Sequence, residues 1–146
     1  MIKCASWSEC LQQHYAISIN PDKAKARSLI ETAIGRIKFL ENNKIQENNA
    51  NYIFENYYSS AIEIIHVLAL NKGFKIENHI CLGYFLKEIL KKERLFRIFD
   101  DCRYKRNSLV YYGRGMDFKK AEEIIKNIKD LILELNILIR EGVKDV

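Results

Sequence analysis

The residues best equipped for chemistry crowd into one stretch, FRIFDDCRYKRNSLVYYGRG, Phe96–Gly115. It holds Arg103, Lys105, Arg106 and Arg114 among Tyr104, Tyr111 and Tyr112. A guanidinium grips phosphate with a planar fork of donors, and both Arg and Tyr stack on bases. The composition therefore suits RNA or a nucleotide. The same mixture is common where proteins meet proteins. On a helix advancing ~100° per residue, Leu95, Phe99, Cys102 and Leu109 point one way, and Arg106 falls within their stripe. A guanidinium among apolar side chains needs a partner, because an uncompensated buried charge costs several kcal/mol. Two readings follow. In one, the stem of Arg106 packs while its head reaches a carboxylate, Asp100 or one on a neighbouring helix. In the other, this face lines a cleft or subunit interface where Arg106 meets an anion.

Other chemical templates are missing. There is no phosphate-binding glycine loop, and Gly113-Arg114-Gly115 is too short for a dinucleotide motif. His14, His66 and His79 are far apart in sequence. His66 lies off the stripe of Ala61, Ile65 and Leu68 and reads as a solvated histidine, while His79 reads as a connector or cap at a helix start. Cys4, Cys10, Cys81 and Cys102 form no Cys-x-x-Cys pair. They read as reduced thiols, two terminal and two in the core. No metal site and no cofactor is expected. The net charge of +5 permits an anionic partner without requiring one.

These residues must be positioned by helices. With one Pro and 6 Gly in 146 residues, the chain lacks the turn residues of a sandwich or barrel. A short helix is expected over Trp7–Tyr15, capped by Ser6 or Ser8. Asn20-Pro21-Asp22 opens the next, whose stripe of Leu29, Ile30, Ala33, Ile34, Ile37 and Leu40 runs to about Glu41. After the polar loop Glu41–Asn49, a helix from Ala50 to Lys72 carries Ile53, Tyr57, Ala61, Ile64, Ile65 and Leu68, and Gly73 stops it. Asn78 caps a helix from Ile80 to about Lys91. Another starts near Glu93 and is broken by Gly113 and Gly115. Asp117 caps the last, which runs from Phe118 to Gly142 with a wide apolar stripe. No segment shows strand alternation. The expected fold is all-α, an antiparallel up-and-down bundle of four main helices plus one or two short ones. Residues 1–19 form a lead packed on it, and 20–146 form the bundle. No apolar run approaches the ~20 residues of a membrane span. Met1–Cys10 lacks the apolar core of a secretory leader, so a cytoplasmic location without membrane contact is expected.

NPDKAKARSLIETAIGRIKFL, NYIFENYYSSAIEIIHVLALNKGFKIENH and RNSLVYYGRGMDFKKAEEIIKNIKDLI, in that order, resemble the HEPN-domain family in its small archaeal-type stand-alone form. The likeness covers nearly the whole chain. It implies a homodimer in which the Arg-bearing helices of two subunits face each other across a cleft. Many family members are metal-independent ribonucleases that use an Arg, a polar Asn and a His about one turn further on. Arg106 and Asn107 match the Arg-Asn pair, but Tyr111 stands where the His belongs. A Tyr with a pKa near ~10 is a poor general base at neutral pH. The resemblance thus implies a non-catalytic or weakly active dimer. It would bind a minimal nucleotidyltransferase, a nucleotide or RNA, as one half of a toxin–antitoxin pair. Tyr111 and Tyr112 would offer hydroxyls for such a partner to modify. The rivals are an endoribonuclease built on Arg106, Asn107 and Tyr111, and a structural helical adaptor. In either binding reading Arg103, Tyr104, Lys105, Tyr112 and Arg114 supply the contacts.

Overall fold

The computed structural model describes residues 3–112 and 117–144, without the side chains of 109–112, 143 and 144. The order is α1 (Trp7–Gln12), β1 (Ala16–Ser18), α2 (Lys23–Glu41), α3 (Ala50–Asn71), β2 (Phe74–Ile76), α4 (His79–Tyr84), a π-helical turn (Phe85–Ile89), α5 (Glu93–Tyr112) and α6 (Phe118–Lys144). The chain is mostly helical. Among the described residues no helix is long and apolar enough to cross a membrane.

The helix starts follow local chemistry. The Ser6 hydroxyl accepts from Glu9 N at 3.2 Å, and the Asn78 amide oxygen accepts from Cys81 N at 2.8 Å. Asp22, rather than Asn20, caps α2 by accepting from Lys25 N at 3.0 Å. Each bond satisfies a donor that the first helical turn leaves without a partner. Asp117 serves α6 in the same way, accepting from Lys119 N. Gly113 and Gly115, expected to end α5, lie outside the described residues.

α3 is the central element. It packs against α2 and α6 and also meets β2, α4 and α5. Phe54, Tyr58, Ala61, Ile64 and Ile65 are buried on it, facing Ile124, Ile128, Leu131 and Leu135 of α6 within one apolar core. Trp7, Cys10 and Ala16 of the lead belong to that same core. Ile34 departs from the expected stripe and is exposed.

Two features differ from the sequence reading. First, the chain contains an antiparallel strand pair, with Ala16 opposite Ile76, Ile17 opposite Lys75 and Ser18 opposite Phe74. Three-residue strands are too short to print an alternation. Gly73 permits the ladder. Its φ is +85°, its carbonyl accepts from Ile19 N at 2.8 Å, and an added Cβ would sit 3.0 Å from the Ile19 carbonyl oxygen. Second, the helix expected from Ile80 to Lys91 relaxes into the π-turn after Tyr84. Glu88 on that turn accepts from Trp7 N at 2.7 Å, so the widened turn also anchors α1.

Candidate functional site

Leu95, Phe99 and Cys102 are buried along α5, and Arg106 continues their side. One helical turn beyond Cys102, at Arg106, the buried stripe gives way to a polar cluster. Tyr58 of α3 stacks its ring on Phe99 at 5.9 Å between centroids, with the planes 8° apart. The Arg106 guanidinium lies 5.3 Å from the centroid of the same Tyr58 ring. Its Nε and Nη2 both reach Glu55 Oε1 at 3.0 Å. The expectation of a carboxylate on a neighbouring helix is met, and that carboxylate is Glu55 on α3. The pair is half-buried, with side-chain exposures of 23% and 36%, so solvent still screens it.

Tyr58 also joins this cluster to α4. Its hydroxyl lies 2.9 Å from Nδ1 of His79, whose ring is 5.6 Å away between centroids. Burial pushes the Tyr58 pKa well up, opposed by the nearby Arg106 and Arg103. Burial, and then the charges of Arg106, His66 and Arg103, together lower the His79 pKa to about 4. Both groups are therefore neutral at pH 7. The assignment that gives the buried phenol an acceptor has Tyr58 donating to Nδ1, with the ring proton on Nε2. His66 is half-buried, not solvated, and burial followed by Lys25 lowers its pKa. His79, expected as a connector or cap, instead sits within the field of two arginines. Asn78 does the capping.

The other proposed contacts are spread around α5. Arg103 donates from Nε and Nη2 to Asp100 Oδ1 at 3.0 and 2.9 Å. Lys105 pairs with Asp101 at 3.0 Å, and Tyr104 is exposed. Asn107 is half-buried beside Arg106. The side chains of Tyr111 and Tyr112, and Arg114 entirely, lie outside the described residues. Arg106 and Arg103 are both near enough to His79 for their charges to lower its pKa, whereas Lys105 is tied to Asp101 and Tyr104 faces solvent. Both guanidiniums offer their Nε edge to a carboxylate. Their Nη1 atoms donate to no other side chain among the described residues.

Sequence reasoning missed Tyr58 and Glu55 and gave His79 only a connector or capping role. The only signal was indirect: a stripe Arg demands a carboxylate, and an aromatic-rich α3 offers a surface for its guanidinium. Chemically, the cluster presents two cationic forks and one neutral imidazole N–H, a donor set that fits an oxyanion. Comparison of the chain with protein-family models, curated proteins and solved structures gives no match.

Proposed function

We propose that this chain is a HEPN-like domain, an antiparallel up-and-down bundle acting as a cytoplasmic homodimer. It binds a phosphate-bearing ligand, RNA or nucleotide, with little or no cleavage. A nucleotidyltransferase encoded as its partner fits the same reading. What supports it is the position of His79, neutral and hydrogen-bonded to Tyr58, under the positive field of Arg103 and Arg106. Burial is the larger cause of that neutrality, and the two guanidiniums, each now paired with a carboxylate, are the groups that would take an arriving anion in its place. Weak chemistry follows from the same numbers. A general acid or base works best with a pKa near the operating pH, and His79 at about 4 lies well below it.

One observation favours a second reading, a metal-independent endoribonuclease. The imidazole that the Arg-Asn motif lacks at Tyr111 arrives instead from α4 as His79. A bound phosphate would raise the His79 pKa toward its working range, because the anion offsets the two arginines.

The test uses a fluorescein-labelled single-stranded RNA oligonucleotide and the intact chain. Binding is expected to weaken steeply with salt, and the Arg103→Ala, Arg106→Ala double variant is expected to lower the salt slope by ~0.7 for each phosphate contact removed. Circular dichroism checks that the variant remains helical. No binding at low salt would leave only the structural-adaptor reading, and binding unchanged in the double variant would move the site away from Arg103 and Arg106. Robust cleavage that His79→Gln abolishes would establish the second reading instead.

A further inference from the structure

The corner formed by the lead, α1 and α4 gathers three of the four cysteines. The Sγ atoms of Cys4, Cys10 and Cys81 all lie within 4.8 Å of one another. Cys10 and Cys81 are buried and joined as a disulfide, contrary to the expectation of reduced thiols, while Cys4 is a half-buried free thiol. A disulfide needs two sulfurs and leaves the third unexplained. Cys4 is held there by its neighbours. Its carbonyl accepts from the Tyr84 hydroxyl at 3.0 Å. The Lys3 carbonyl accepts from the Gln13 side chain at 3.2 Å, and Ala5 N donates to the Glu9 carboxylate at 2.6 Å. Glu9 belongs to the helix that carries Cys10 and Gln13 caps its end, while Tyr84 belongs to the helix that carries Cys81. The elements that bear two of the sulfurs therefore fix the third.

We propose that, once the disulfide is reduced, Cys4, Cys10 and Cys81 form a three-thiolate site for one thiophilic divalent cation, with Zn²⁺ as its natural probe. The steps balance. Two external thiols give two electrons to the Cys10–Cys81 bond and leave as their own disulfide, and two cysteine thiols form. The cation then takes three sulfur ligands, and three protons pass to solvent. Zinc–thiolate bonds of ~2.3 Å set tetrahedral sulfurs ~3.8 Å apart, which falls inside the 4.8 Å envelope. Water completes the fourth position at Cys4, the least buried of the three. The Glu9 carboxylate, which accepts from Ala5 N beside Cys4, adds a negative charge that favours a cation at this corner. Cys102 is buried elsewhere, on α5, and takes no part.

The test reduces the full chain with a phosphine and titrates it anaerobically with Zn²⁺ or Co²⁺. Native mass spectrometry should give one ion per chain, and Co²⁺ should produce a near-ultraviolet thiolate charge-transfer band. Cys4→Ser should weaken binding by at least ~10-fold with helicity unchanged. Cys102→Ser should have no effect, and the disulfide-bonded chain should bind nothing. No uptake by the reduced protein would overturn the proposal. So would equal affinity in Cys4→Ser or in the oxidised chain, or exchange of the disulfide onto Cys4 in place of metal binding.

Discussion

α4 serves two corners that are held together by different physics. Two residues apart, His79 turns toward Tyr58 and Arg106, while Cys81 turns toward Cys10 and Cys4. The sulfur corner is apolar and covalently closed. Trp7 packs edge-on to Phe74 at 5.2 Å and against Phe85 at 5.8 Å, and the two disulfide cysteines belong to the same buried core. The arginine corner is stitched by ion pairs, a cation–π contact and one neutral hydrogen bond, all partly open to water. Its ion pairs are half-exposed and balance one another, so those pairs contribute little net stability. The first corner should answer to redox conditions and the second to pH and salt.

The largest effect should come from opening the sulfur corner. The Cys10–Cys81 bond spans 71 residues. Closing a loop of that length stabilises by ~4 kcal/mol in the chain-entropy account, with native strain lowering the measured value. Urea unfolding of Cys10→Ser, Cys81→Ser with a metal chelator present should lose ~3–4 kcal/mol. A loss below ~1 kcal/mol would mean that the apolar packing, not the covalent closure, holds this corner.

The arginine corner should respond to acid. His79 has its folded pKa depressed to about 4 from 6.5, so the unfolded chain takes up the proton first. Its contribution is present above pH ~6.5 and is lost as pH falls toward ~4, a drop of roughly 2 kcal/mol after allowing for partial solvent screening. His79→Gln should flatten this part of the stability–pH curve. A wild-type curve already flat between pH 6.5 and 4 would show that burial and the nearby arginines do not hold His79 neutral. In the same corner NMR titration in the presence of RNA should show the His79 pKa rising.

The smallest change in stability, and the sharpest in meaning, belongs to Glu55→Gln. Losing a half-exposed pair should cost under ~1 kcal/mol. It should also free Arg106 and raise RNA affinity severalfold. Unchanged affinity would show that Glu55 does not compete with an anion for that guanidinium.

By itself the sequence determined the helices. The three- and four-residue spacing of Ile53, Tyr57, Ala61, Ile64 and Leu68, the Asn78 and Asp117 caps and the Gly73 stop are local signals, and each acts within a turn or two of chain. It also placed Arg106 on an apolar stripe and so required a partner for it. Only the tertiary structure decided who that partner is. Glu55 lies 51 residues away, and Tyr58, His79 and Arg106 come from three different helices. The strand pair and the three sulfurs were equally hidden. Hydrogen bonds between three-residue strands and contacts between cysteines far apart in sequence depend on how the chain folds back. Neighbouring residues carry no record of that, because periodicity reports which face of a helix is buried and not what it is buried against.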